Sequence, residues 1–106
     1  MNKERRDTLN NLFKQIEALK PRIEELTNLG EEIGAVKEAL ESVRDEEQEY
    51  YDNMPEGFQN SERGEKAQEV ISELDEAIEA LGTMADAFSD LPDVSDIMTH
   101  VDNASA

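Results

Sequence analysis

The chain has 106 residues, of which 27 are acidic and 10 basic, and its formal net charge is −17 at neutral pH. With 37% hydrophobic residues, five aromatic side chains and no tryptophan, the apolar supply is thin for one compact core, while 35% charged residues favour long helices or coiled coils. No apolar run is long enough to predict a membrane span, and the polar start of the chain is unlike a signal peptide. Cysteine is absent, as is typical of a reducing cytoplasm, so we expect a cytoplasmic protein.

The first predicted element is a long helix over about residues 4–51. Its apolar residues recur at steps of three and four, which is the heptad pattern of a helix packed on another helix. They are Leu9, Leu12, Ile16, Leu19, Ile23 and Leu26, followed by Leu29, Ile33, Val36, Leu40, Val43 and Tyr50. Because Pro21 removes a backbone hydrogen bond and Gly30 and Gly34 weaken a helix, we expect this helix to be kinked or broken near residues 21 and 30.

A cluster of turn-forming residues, 52–61, predicts a loop, and a second helix is predicted over 62–91. The second helix has a heptad seam of its own, formed by Ala67, Ile71, Leu74, Ile78, Leu81, Ala85 and Phe88. Residues 92–106 form a C-terminal tail with a short helix at 94–101 and a disordered end. The predicted fold is therefore all-α: residues 1–91 form an antiparallel helical hairpin or coiled coil with an additional N-terminal helix. Since the seam from Leu9 to Leu26 has no evident partner in the chain, we expect a homodimer.

Charge is distributed very unevenly along the sequence. Residues 1–22 have a net charge of +3, so residues 23–106 have −20, and from Ala67 to the last residue there are ten carboxylates and no basic side chain. Such a surface opposes direct contact with nucleic acid or an anionic membrane. The charge predicts a basic protein as partner.

Many of the carboxylates recur at helical spacing on the side opposite the seam. We call ten of them the acidic stripe: Glu38, Glu41, Asp45 and Glu49 of the first helix, and Glu62, Glu65, Glu69, Glu73, Glu76 and Glu79 of the second. The paired helices have about one net charge per 2.7 Å, against about 1.7 Å in duplex DNA. The stripe thus predicts a DNA mimic that binds the basic groove of a DNA-binding protein. The alternative interpretation is an acidic surface that only keeps a coiled-coil scaffold soluble.

The loop region supplies a second candidate binding surface. Tyr51, Met54 and Phe58 stand close together in the sequence and are ringed by acids. Such side chains are common anchors at protein interfaces. They also commonly plug the open end of a hairpin, so a structural or adaptor coiled coil that acts through its apolar seam or through these residues is the alternative function.

The sequence offers no catalytic motif. An all-helical nucleotide pyrophosphatase would hold magnesium with Glu-Glu-x-x-Glu on one helix and Glu-x-x-Asp on another, and the cluster Asp45, Glu46, Glu47 and Glu49 has the wrong spacing. His100 has no second histidine at ligand spacing. We therefore expect a protein that is not an enzyme and that needs no cofactor or metal.

The segment DEEQEYYDNMPE at residues 45–56, continued by QNSERGEKA at 59–67, resembles a stretch found in small acidic helical proteins of tailed bacteriophages. The resemblance implies a phage accessory protein that acts in the cytoplasm of the infected host. Because small acidic phage proteins often block DNA-binding defence or repair proteins, it also implies an inhibitor of a basic host protein. No catalytic or binding residue follows from it, and a demanding turn could equally explain why the segment recurs.

Overall fold

The computed structural model describes residues 2–106, which form four helices and no strand. The helices are α1 (Lys3–Asp52), α2 (Glu56–Gln59), α3 (Glu62–Ser89) and α4 (Val94–Ala104). They build a rod with extents of 81 × 16 × 15 Å. The prediction of an all-α fold is confirmed.

Helix α1 extends along most of the rod as one bent but uninterrupted helix of 50 residues. Asn2 caps its N-terminus, because the Asn2 side chain accepts a hydrogen bond of 2.8 Å from the backbone N–H of Arg5. The helix continues through Pro21 and Gly30. Of the two predicted alternatives, a kink or a break near these residues, the break therefore does not occur.

Helix α3 returns antiparallel along the C-terminal half of α1. Three contacts fix the alignment: Tyr51 with Gln68, Arg44 with Asp75, and Lys37 with Gly82. Each step of seven residues along α1 is thus matched by a step of seven backwards along α3, which is the spacing of a heptad pattern. The predicted helical hairpin is confirmed, and Ala67 and Ile71 of the predicted α3 seam are buried as expected.

Of the glycines in α1, Gly30 is the one that packs closely against α3. It is buried, and a Cβ at this position would lie 3.0 Å from Cβ of Phe88. A Cβ at Gly34 would meet nothing within 4 Å. Close packing of the two helices, rather than a break in α1, is therefore the structural reason for glycine at position 30.

This difference predicts different stabilities for two alanine substitutions in the same helix. Gly34→Ala should stabilise the chain by about 1 kcal/mol, since alanine is the better helix former and the space is open. Gly30→Ala should be at least about 1 kcal/mol less stable than Gly34→Ala, because Phe88 must move to admit the methyl group. Urea unfolding of both variants measures the difference, and equal stabilities would contradict the close contact at Gly30.

Helix α4 packs against the N-terminal half of α1 and continues the path of α3 after Pro92. The Asp93 side chain caps it by accepting a hydrogen bond of 2.8 Å from the Ser95 N–H, and Val94 is buried. Its contacts with α1 surround Phe13 and Lys20. The expectation that the seam from Leu9 to Leu26 has no partner within the chain is therefore wrong, and the C-terminal helix reaches Ala104 rather than residue 101.

The predicted loop at 52–61 contains the short helix α2, which packs on the start of α3. Ser61 is the N-cap of α3, but its hydroxyl donates to the Phe58 carbonyl instead of capping the helix. The Gln59 side chain donates a 3.1 Å hydrogen bond to the carbonyl of Tyr51. These bonds tie the loop to the end of α1.

The core of the single chain is small. Within residues 2–106 the buried apolar side chains are Met54, Ala67, Ile71 and Val94. The accessible surface is 7867 Å², whereas a compact monomer of 11.9 kDa would expose about 5,900 Å². The chain therefore leaves far more surface uncovered than its mass requires.

Candidate partner-binding surfaces

The six glutamates of the acidic stripe on α3 are all exposed and lie opposite the seam of that helix, with Glu76 and Glu79 at the border of a groove that Tyr51 of α1 also lines. This placement follows from the heptad seam, because side chains three or four residues apart share a face and the seam occupies the opposite one. Glu69 is within 3.8 Å of Lys66, the only ion pair of this group within residues 2–106. Five carboxylates of α3 are thus presented without an opposite charge from the described part of the chain.

The four stripe residues of α1 differ from one another in exposure and in ion pairing. Glu38 and Glu49 are exposed, Asp45 lies 3.6 Å from Arg44, and Glu41 is half-buried beside Lys37 at 3.4 Å. Glu38, Asp45 and Glu49 are exposed on the side of α1 away from its contacts with α3, and most of the α3 glutamates lie on the side of α3 away from α1. The structure therefore places most of the acidic stripe on two outer sides of the hairpin.

Arg44 links the two helices on one flank of the hairpin. Its Nε donates a 2.8 Å hydrogen bond to Oδ1 of Asp75, and this bond is the main reason that the pKa of Arg44 is raised. On the same flank, Nε2 of Gln68 donates to the Tyr51 hydroxyl at 2.6 Å. We call this polar side of the hairpin the bridged flank.

The three loop residues differ in exposure. Met54 is buried and Tyr51 is half-buried, so of the predicted loop site only Phe58 is displayed, with 55% of its surface accessible. Phe58 lies beside Glu62 and Arg63 at the N-terminus of α3. An anchor at this end of the rod would therefore consist of a single aromatic side chain.

A surface that the sequence analysis placed in the core is exposed instead. Seven of the twelve residues of the predicted α1 seam point outwards. The side of α1 that contacts α3 and α4 instead follows Leu9, Ile16, Ile23, Gly30, Lys37, Arg44 and Tyr51. The apolar band of α1 is wider than one partner helix covers. The uncovered residues have between 38% and 54% of their surface accessible: Leu12, Leu19, Leu26, Leu29, Val36, Val43 and Tyr50.

Exposed apolar residues of α3 and α4 lie on the same side of the rod. Met84 follows Asp75 by nine residues, which is two and a half helical turns, so Met84 lies opposite the bridged flank. Ile97 is similarly turned away from Ser95 and Thr99, which border Phe13 and Lys20 of α1. We call the seven α1 residues together with Met84 and Ile97 the apolar face.

The described residues show two further properties. Within residues 2–106 there is no group of three or more histidine, aspartate or glutamate side chains placed to hold a metal ion. None of the helices in that range is both long and apolar enough to span a membrane.

The class that the fold defines is an all-helical hairpin extended into a rod by the N-terminal half of α1 and by α4. Comparison with protein-family models, with curated proteins and with solved structures gave no match. The functional argument therefore depends on the acidic stripe and the apolar face.

Proposed function

We propose that this chain is a non-enzymatic phage accessory protein that binds a basic surface of a host protein in the host cytoplasm. The partner is a nucleic-acid-binding or defence protein, and the acidic stripe occupies the groove that the partner uses for DNA. The resemblance of residues 45–67 to phage proteins supports the setting, and the charge supports the partner.

The observation that carries the proposal is the concentration of charge on the hairpin end of the rod. Residues 31–88 hold 18 acidic and four basic residues, which leaves −14 of the total −17 there. Seven of the ten stripe carboxylates have no ion-pair partner within residues 2–106. A folded surface of this kind has condensed counterions to release when it meets a basic groove, as duplex DNA does.

Rigidity supports the same function. The stripe stands on α1 and α3, which are joined along the bridged flank by the Arg44–Asp75 ion pair. Charges fixed on helices meet a partner in one arrangement, so less side-chain and backbone freedom is lost on binding than with a disordered acidic tail. A rigid rod is therefore the better mimic of a stiff polyanion.

The test is capture from host lysate on the immobilised chain, followed by elution with a salt gradient and identification of the eluted proteins. The proposal expects nucleic-acid-binding proteins that leave at moderate salt, because binding dominated by counterion release weakens steeply as salt rises. A partner whose binding is unchanged from low to high salt would contradict it.

A second candidate function is an adaptor that binds through apolar side chains, and the exposed apolar face and Phe58 favour it. Under this function Phe58→Ala or Tyr51→Ala would abolish partner capture, whereas charge changes on the acidic stripe would have little effect. The two functions thus predict opposite sensitivities in the same capture assay.

A further inference from the structure

We propose that the apolar face is the interface of an antiparallel homodimer, in which α1 of one chain packs along α1 of a second copy and the two rods together form a four-helix bundle. The expectation of a homodimer depended on the seam from Leu9 to Leu26, which α4 covers on one side only. The structure adds the face, the direction and the register, and none of these depends on the proposed function.

The first argument is the uncovered area. The chain exposes about 2,000 Å² more than a compact monomer of its mass, and stable dimer interfaces bury about 1,200–2,000 Å² or more in total. The apolar face extends from Leu12 to Tyr50, about 57 Å of helix. An exposed apolar surface of this extent marks an interface in soluble proteins.

The second argument is the direction from which a further helix would approach. In the C-terminal half of α1 the exposed residues are offset by about a quarter turn from the line that contacts α3, as Val43 is from Arg44, and in the N-terminal half they are offset by about a sixth of a turn, as Leu19 is from Ile16. In a four-helix bundle each helix contacts two neighbours about a quarter turn apart. The pair of α1 and α3 thus supplies half of such a bundle, and α1 and α4 of the second copy supply the rest.

The third argument is that the apolar face is complementary to itself. Six of its seven α1 residues are arranged symmetrically about residue 31, so two antiparallel copies of α1 pair Leu12 with Tyr50, Leu19 with Val43, and Leu26 with Val36 of the second copy. Each of these six side chains then meets a large side chain of the other helix. This is the pattern that a twofold axis requires, since the same patch must serve both subunits.

Charge selects the antiparallel arrangement. One end of the rod, residues 31–88, has a net charge of −14, while the remaining residues together have −3. Antiparallel packing sets the −14 end of each chain against the −3 end of the other, whereas parallel packing would set −14 against −14. The basic residues Lys14 and Arg22 then lie alongside the acidic half of the second α1.

The dimer has a distinctive salt response. Because two chains of −17 repel each other overall, raising the salt concentration should tighten the dimer, whereas it should weaken binding to a basic partner. On α1, Glu38, Asp45 and Glu49 lie away from the apolar face and stay exposed in the dimer. The interface therefore leaves these three carboxylates of the acidic stripe accessible to a partner.

Sedimentation equilibrium of wild type, Val43→Glu and Ser42→Glu tests the face. Both substitutions add one negative charge, but Val43 belongs to the apolar face and Ser42 faces away from α3. We expect a wild-type dimer, a dissociation constant raised at least about 100-fold in Val43→Glu, and no change in Ser42→Glu. A monomeric wild type, or a Val43→Glu variant that dimerises as wild type does, would overturn the proposal.

Disulfide trapping tests the register in a chain that has no native cysteine. The double variant Leu19→Cys with Val43→Cys should form a covalent dimer on mild oxidation, because the two positions face each other across the interface. Leu19→Cys alone should not, since its copies would lie about 36 Å apart, far beyond the reach of a disulfide. Cross-linking of the single variant, or none in the double variant, would overturn the antiparallel register.

Discussion

Replacing Gly64 with alanine should destabilise the chain by about 2 kcal/mol. Gly64 is the third residue of α3 and is buried under the loop, and an added Cβ would lie 2.6 Å from the Phe58 carbonyl oxygen and even closer to the backbone of Gln59. Both obstacles are backbone atoms, so the loop and α2 must shift as a unit, and overpacking of this kind costs about 1–3 kcal/mol. The gain in helix propensity offsets only part of this cost.

The control is Gly57→Ala in the neighbouring helix α2, where a Cβ meets nothing within 4 Å. That variant should be as stable as wild type or slightly more so. Urea unfolding followed by circular dichroism gives both values under the same conditions. If Gly64→Ala and Gly57→Ala unfold at the same urea concentration, the close approach of the loop to α3 is wrong.

Neutralising the acidic stripe of α3 should weaken capture of the basic partner at least about tenfold at low salt and flatten the dependence of affinity on salt. The variant replaces six glutamates with glutamine: Glu62, Glu65, Glu69, Glu73, Glu76 and Glu79. Glutamine keeps the size and helix propensity of glutamate, and all six side chains are exposed, so the fold should be unaffected.

A matched control removes the same amount of charge from the other end of the rod. It replaces Glu4, Asp7, Glu17, Glu24, Glu25 and Asp102 with the corresponding amides, so both variants have a net charge of −11. Isothermal titration of each variant with the captured partner at several salt concentrations separates the effect of where the charges lie from the effect of the total charge. Equal loss of affinity in the two variants would show that overall acidity, and not the stripe, determines binding.

The sequence predicted the helices and the turn well, because these depend on local signals. Pro55, Gly57 and the polar residues around them mark the turn, and the seam of α3 is clear because all the leucine, isoleucine and phenylalanine residues of that helix lie on it. The caps at Asn2 and Asp93 likewise stand where short polar side chains begin a helix.

The assignment of the α1 surface could not be made from the sequence. The apolar band of α1 spans two edges, one followed by Leu9 and Ile16 and the other by Leu12 and Leu19, and periodicity alone does not say which edge contacts the partner helix. Two steps of three residues meet at Leu26, so the line of apolar residues shifts around the helix before Leu29, and this shift indicates that α1 contacts more than one helix. Lys37 and Arg44, which contact α3, are charged and therefore lie outside the apolar pattern.

Tertiary context also decided the roles of Gly30 and α4. A glycine in a helix predicts weakness, whereas Gly30 is required by the approach of Phe88 from α3. The heptad pattern ends before Pro92 and so does not predict that α4 packs along α1, although Val94, Met98 and Val101 cover the N-terminal half of α1. Both facts depend on residues more than 50 positions apart in the chain.

The apolar face and the acidic stripe account for different parts of the composition. In the proposed dimer the apolar face is buried between two chains and most of the acidic stripe remains outside. Each half of the dimer combines the −14 end of one chain with the −3 end of the other and so has a net charge of −17. The dimer would therefore approach the charge density of duplex DNA more closely than the monomer does. Variants that abolish dimerisation should then also weaken capture of the basic partner, although they leave the stripe intact.

The most direct test of the proposed function is competition with DNA for the captured partner. Fluorescence anisotropy of a labelled duplex bound to that partner is followed while the acidic chain is added at a fixed moderate salt concentration. The account predicts that the duplex is released completely and that more of the chain is needed as salt rises. A complex that holds the duplex and the acidic chain together would contradict it.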